Sequence, residues 1–252
     1  MQGARYESGL DNSPMYDGEF FDTYTTHLMQ LADVGMSSMV AQEAYALSKL
    51  AAAIGRPEGP MLKARGDALS AAIAKHLWMA HDGIFTNLFA NGTFYPRRSP
   101  TSFYAMQAGA ATDAQATTMM NSSHFCIAKG GDFKGNSDTC YWGLPSIEAS
   151  DPAFPALGYW RGYVWGPQTM LTCWALQNDA YKGNAAVTTG RKVLCSQMKQ
   201  LMLSQWNEHR HICENYNPHK TADTSKGDCS GSKFYHWGAL NGLVGLIEQG
   251  YW

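Results

Sequence analysis

The feature that most constrains this chain is a series of apolar segments at helical spacing, separated by loops rich in Gly, Pro and aromatic residues. Val40, Ala44, Leu47, Ala51 and Ile54 recur with a helical period, and Gly55 follows as a C-terminal stop. Pro60 opens a second segment that continues through Leu62, Leu69, Ile73 and Leu77. Residues 84–95 read as a hairpin about the Asn91-Gly92 turn. Ser99 and Pro100 start a third helix to about Gly109, and Thr112 or Asp113 caps a fourth to about Met120. After an irregular section, 122–158, helices are expected at about 165–178, 186–206 and 236–249. Six or seven helices in pairs, with no short-period repeat, predict a mainly α toroid or bundle over 1–252 with a site at one end.

The loops carry the chemistry. Residues 7–17, ESGLDNSPMYD, place Glu7, Asp11 and Asp17 among Gly9, Asn12 and Pro14, which is turn chemistry that can aim a carboxylate. By itself the stretch equally allows Asp11 to do no more than cap or stabilise the turn. Residues 159–168, YWRGYVWGPQ, surround Arg161 with four aromatic side chains, where stacking can hold a guanidinium rigidly. That arginine could orient a carboxylate or a sugar hydroxyl, or simply form a structural ion pair. A third stretch, CENYNP at 213–218, puts Glu214 on an irregular loop beside Asn215, Tyr216 and Pro218. The fourth, 234–243, leads through His236 and Trp237 into the last helix, and His236 reads either as a polar contact in a cleft or as a helix-start histidine.

Composition removes several classes. A net charge of −2 gives no electrostatic reason for a nucleic-acid or anionic-membrane partner. No run approaches the roughly 18 consecutive apolar residues of a membrane span. There is no P-loop, no GxGxxG and no GxSxG, so nucleotide and serine-hydrolase chemistry lack support and no cofactor is implied. The absence of a DDxxD-type metal cluster argues against a prenyl-handling toroid. His209 and His211, two residues apart, lack a third metal ligand in the sequence. Cys173 and Cys195 lie in apolar helical stretches and read as small buried hydrophobes. Cys126, Cys140, Cys213 and Cys229 lie in polar loops that a bridge would pin, and a Cys213–Cys229 pair would close the loop after Glu214. With the Asn91 and Asn121 sequons, these lean toward an oxidising, secretory or extracytoplasmic compartment such as the endoplasmic reticulum lumen.

Together with LADVG at 31–35, SPTSFY at 99–104, LPSI at 144–147 and DPAF at 151–154, these motifs resemble glycoside hydrolase family 63. That family includes the processing α-glucosidase, bacterial α-glucosidases and mannosylglycerate hydrolases, and the resemblance runs in family order from about residue 6 to the C-terminus. It implies an (α/α)6 barrel and an inverting exo-acting α-glycosidase acting on a glucoside or related oligosaccharide. Asp11 matches the family's general acid and Glu214 its general base. Inversion needs one protonated carboxyl to protonate the leaving oxygen and one ionised carboxylate to activate water on the opposite face. Arg161 is expected near the water or a sugar hydroxyl, and Trp160, Trp165, Tyr216 and Trp237 as walls for the sugar. Tyr104, Asn12 and His236 follow as further substrate contacts. The family barrel has twelve helices, several before the first motif, so this chain is expected to form an incomplete barrel, its partner being the N-terminal part. The alternative is an inactive or carbohydrate-binding remnant.

Overall fold

The computed structural model describes residues 2–18, 21–125, 127, 143–218 and 229–251. After a short helix α1 (Gln2–Tyr6), the main helices are α2 (Val34–Ala53), α3 (Gly59–His76), α4 (Tyr104–Gln107), α5 (Asp113–Asn121), α6 (Gly166–Leu176), α7 (Ala185–His209) and α8 (His236–Glu248). Helix α2 packs on α4, α4 on α6 and α6 on α8, forming one layer of successive neighbours. Helix α3 lies against α2, and α7 against α8, α6 and α5, forming a second layer outside the first. The main core lies between the layers, with Val34, Ala41, Phe85, Met106, Met119, Leu176, Leu194 and Met198 all buried.

Helix α2 begins six residues before the first apolar residue of its sequence pattern. Asp33 caps it by accepting a hydrogen bond from Met36 N at 2.8 Å, and the Tyr16 hydroxyl donates to the same carboxylate at 2.7 Å. Gly35 is required there, because a Cβ at that position would lie 2.8 Å from the Thr101 side chain. The expected third helix is broken into a 3-10 turn, Pro100–Phe103, followed by the single turn of α4. Asn178 Nδ2 donates to the carbonyls of Met106 and Gln107, satisfying the acceptors at which α4 stops.

The expected 84–95 hairpin forms about the Asn91-Gly92 turn, with Leu88 opposite Phe94 and Tyr95 N donating to Asn87 O. Its strands also pair outward, β4 (Leu88–Phe89) with β1 (Leu31–Ala32) and β3 (Ile84–Phe85) with β2 (Trp78–Met79). Asn87 draws the strand toward LADVG: its Oδ1 accepts from Val34 N, and its Nδ2 donates to Asp33. A three-stranded antiparallel sheet, in the order β5 (Val164–Trp165), β6 (Cys213–Tyr216) and β7 (Cys229–Lys233), lies at the N-terminal ends of α6 and α8. A second, largely aromatic cluster fills this end of the molecule: Met15, Tyr16, Tyr95, Phe154, Trp160 and Trp165.

Candidate active site

The 7–17 turn presents Asp11 without using it as a cap. Ser13 caps the 3-10 turn Pro14–Tyr16 by accepting from Met15 N, and Gly9 (φ 72°) turns the chain ahead of it. Asp11 is half-buried and has no hydrogen bond or ion pair among the described residues. Its neighbour Asn12 is fully engaged across 146 residues of sequence. Asn12 Nδ2 donates to Gly158 O and its Oδ1 accepts from Trp160 N, both at 2.9 Å. These two bonds bracket Tyr159, which adopts a left-handed backbone (φ 65°) costing roughly 1 kcal/mol or more, a strain that persists only where its surroundings enforce it. The bend sends successive side chains in different directions: Tyr159 toward Glu214, Trp160 into the aromatic cluster and Arg161 toward Asp17.

Glu214 sits on β6, 8% exposed. Cys213 pairs with Lys233 and Asn215 with Ser230, so one extra β7 residue opposes Glu214, and a bulge forms at Gly231 and Ser232. The bulge turns Ser232 N toward Glu214 Oε2 at 2.8 Å, while the Tyr159 hydroxyl donates to Oε1 at 2.8 Å. Each carboxylate oxygen is therefore held by its own donor. Burial, the bond to Glu214 and the charges of Glu214 and Asp11 all push the Tyr159 phenol upward, so it remains a donor at neutral pH. Tyr159 is thus the group that both carboxylates influence. The Cys213–Cys229 disulfide, with a Cα separation of 5.3 Å, ties β6 to β7 one residue from Glu214. His211 lies beside it, and His211, Cys213 and Cys229 bring their donor atoms within 4.8 Å of one another. Both sulfurs are spent on the disulfide and are not the thiolates a zinc site would need.

Around the carboxylates the aromatic rings pack on one another. Trp160 and Trp165 stack at 3.8 Å and 8°, and Trp237 meets them edge-on at 6.4 and 6.0 Å. Trp160, Trp237, Tyr104 and Tyr16 border a partly open pocket of about 180 Å³ at the N-terminal ends of α2, α6 and α8. A separate groove of about 970 Å³, with the exposed Trp174 and Tyr45 among its walls, lies farther along α2 and α6.

This geometry can be set beside known proteins. The sequence profile of the mannosylglycerate hydrolase MGH1-like glycoside hydrolase domain matches residues 2–238. The chain belongs to that glycoside hydrolase family. Among solved structures, it resembles a GH63 mannosylglycerate hydrolase of Thermus thermophilus crystallised with glucose, with a TM-score of 0.70 at 20% identity over 95% of this chain and 60% of that one. The same enzyme crystallised with Tris gives a TM-score of 0.68 at 18% identity, over 95% and 63% of the two chains. The neutral trehalase of Saccharomyces cerevisiae gives 0.62 at 16% identity, over 90% of this chain and 40% of that one. These likenesses place the two helical layers in the helical-barrel fold, and the chain spans about 60% of the length of the first of these relatives. No curated protein matches significantly.

Within this glycoside hydrolase domain, the residues expected at the site separate into distinct groups. Tyr159 bonds Glu214 and its phenol also feels the charges of Asp11 and Tyr235. Trp165 and Tyr216 are fully buried; the Tyr216 hydroxyl donates to Gly238 O, and burial pushes that phenol up to about 12. Neither has a face left for a sugar. Arg161 forms the structural ion pair that the sequence allowed, with Asp17 and not with Glu214. Its Nη2 binds Asp17 Oδ1 at 2.6 Å, and Arg97 and Arg5 approach the same carboxylate at 3.0 and 3.6 Å. Opposite charge drew Arg161 to Asp17, while hydroxyl and amide donors took both oxygens of Glu214. Asn12 likewise spends its amide on backbone. His236 is exposed at the first turn of α8 with its ring stacked on Tyr235 at 5.1 Å.

Sequence reasoning missed Tyr159, Gly231 and Ser232. The first stood in plain sight inside YWRG, but only the fold brings it to a residue 55 positions away. The close glycine of the β7 bulge had no sequence signal beyond the Ser-Gly-Ser run at 230–232. Cys173 and Cys195 are buried as expected, with sulfurs 3.2 Å apart. Cys126 and Cys140 lie outside the described residues.

Proposed function

We propose that this chain is the catalytic part of an inverting α-glycosidase in which Asp11 is the general acid and Glu214 the general base. One observation carries the reading: Glu214 has each oxygen fixed by a separate donor, and the Tyr159 phenol that fixes one of them also lies in the field of Asp11. A carboxylate oriented by two donors keeps lone pairs aimed at a water. Asp11 accepts no hydrogen bond from the described residues, which leaves its carboxyl available to a leaving oxygen. Proton transfer from Asp11 to the glycosidic oxygen, with water deprotonated by Glu214 on the opposite face, breaks the bond and inverts the anomeric carbon. That geometry calls for carboxyls roughly 6.5–9.5 Å apart.

An α-linked glucoside or a related oligosaccharide is the proposed substrate, supported by the family and by the glucose found in the crystallised Thermus relative. The Cys213–Cys229 bond suits an oxidising compartment, and alkylation of free thiols in freshly isolated protein tests that placement. A second reading is a carbohydrate-binding remnant without hydrolysis. The deciding assay incubates the chain with α-linked disaccharides and follows the first product anomer by NMR. We expect the β anomer first, and a loss on the order of 10³-fold in kcat for Asp11→Asn and for Glu214→Gln. First release of the α anomer, or unaltered turnover in either variant, would sink the mechanism. Saturable sugar binding with no turnover in any form would leave the remnant.

A further inference from the structure

Two nucleophilic side chains play no part in the chemistry proposed above. Cys173 lies on α6 and Cys195 on α7, 1% and 0% exposed, in the core between the helix layers. Their sulfurs are 3.2 Å apart, nearer than the roughly 3.5–4.0 Å at which nonbonded carbon atoms rest, although sulfur is the larger atom. A thiol is a weak hydrogen-bond donor, which is a poor reason for so close an approach. A shared metal ion does not account for it either, because among the described residues no third His, Cys, Asp or Glu ligand joins the two sulfurs. A covalent bond does account for it. Closing the gap to the roughly 2.05 Å of a disulfide takes a movement of about 1 Å, shared between two side chains. The same structure holds Cys213 and Cys229 as a disulfide, and conditions that oxidise one pair act equally on a second pair already in contact.

We propose that Cys173 and Cys195 are a site of oxidation, forming a second, buried disulfide that clamps α6 to α7. The two thiols pass two electrons and two protons to a disulfide oxidant, either glutathione disulfide or an oxidised protein dithiol. One S–S bond forms in the chain and one breaks in the oxidant, which leaves as two thiols. The attacking species is a thiolate, and burial pushes the Cys173 thiol well above its ordinary value. Exchange therefore belongs to the folding chain, before α7 covers α6, and is slow in either direction afterwards. The clamp has a place in the architecture of the site. Strand β5 opens directly into α6, and α7 leads into β6, so the bond joins the two helices attached to the paired strands that hold Glu214. The inference concerns thiols alone and does not depend on the glycosidase reading.

The test maps the cysteines of the full chain after secretion through an oxidising compartment. Free thiols are blocked with iodoacetamide in guanidinium without reductant, and the digested protein is read by mass spectrometry. The expected result is a linked pair of peptides containing Cys173 and Cys195, two hydrogens lighter than their sum and free of the alkyl group. Alkylated Cys173 and Cys195 in protein whose Cys213–Cys229 bond is intact would overturn the proposal. So would linkage of either residue to Cys126 or Cys140. Protein in which Cys213 and Cys229 are also alkylated is refolded from guanidinium with glutathione disulfide and judged by the same outcomes. In native protein, dithiothreitol should open the Cys213–Cys229 bond, whose Cys229 end is half-buried, roughly tenfold or more faster than the fully buried bond. The double variant Cys173→Ala, Cys195→Ala should melt on the order of 10 °C below the oxidised wild type. The same comparison after full reduction should give a smaller loss, that of two sulfur atoms missing from the core. Equal losses in the two comparisons would overturn the clamp.

Discussion

Replacing Gly231 by alanine isolates what the β7 bulge does for Glu214. Gly231 has φ 73°, and an alanine held in that left-handed region costs about 1–2 kcal/mol. The added Cβ would stand 2.2 Å from Glu214 Oε2 and 2.9 Å from its Cβ and Cδ. Restoring an ordinary contact of about 3.5 Å requires the carboxylate to retreat by about 1 Å. That retreat breaks or stretches the 2.8 Å bond from Ser232 N, a hydrogen bond to a charged group worth about 1.5–3 kcal/mol. The two contributions together predict a melting temperature lower by on the order of 10 °C for a chain of this size. Gly92→Ala is the control: φ is 84° there, and nothing lies within 4 Å of the new Cβ, so only the backbone contribution and a few degrees are expected. In a hydrolysis assay the displaced carboxylate should lower kcat about 10²-fold in Gly231→Ala and leave Gly92→Ala close to wild type. Equal melting losses and equal turnover in the two variants would refute the reasoning, because the bulge would then be a turn like any other.

Opening the Cys213–Cys229 disulfide with dithiothreitol, or by the double alanine variant, should remove about 3 kcal/mol through the freed loop and lower the melting temperature measured by calorimetry. Asn12→Ala deletes two hydrogen bonds to the 158–160 backbone and should cost about 1–3 kcal/mol, with a change in tryptophan fluorescence as Trp160 loses its anchor; an unchanged spectrum and melting point would count against the brace. Glu148 provides a pH dependence. Burial would raise its pKa, but His124, Ser150 and Arg98 outweigh it and the group is held below its ordinary value. A lowered folded pKa contributes stability that is present above the unfolded value, about 4.3, and is lost as pH falls through the folded value. Melting curves between pH 6 and 3 should therefore fall less steeply for Glu148→Gln than for wild type.

Much of the helical scaffold is legible in the residues themselves. The period of apolar positions and the stops at Gly55 and Gly250 locate α3, α7 and α8 within a few residues and mark the end of α2, because a buried helix face repeats in sequence. Where elements differ from expectation, a cap or a distant side chain intervenes. Asp33 caps α2 and extends it, Asn87 ties the β4 strand to Val34, and Asn178 ends α4. The short strands that carry Glu214 are two to five residues long, below what a period of two can mark in a sequence.

The candidate site divides in the same way. The residue order alone put Asp11 and Glu214 on turn-rich loops and marked the aromatic stretch between them, since turn chemistry and aromatic density are local properties. It left open whether Asp11 caps its turn and which acid Arg161 meets. Only the tertiary structure decided those points. Ser13 takes the cap, Arg161 joins Asp17 across 144 residues, and Tyr159 bonds Glu214 across 55. Hydrogen bonds and ion pairs depend on distance and angle in space, which pattern along a chain does not encode. The opening turn marks Asp11 as a candidate, but the bulge opposite Glu214, two bonds from Asn12 and the left-handed bend at Tyr159 set the surroundings of the site.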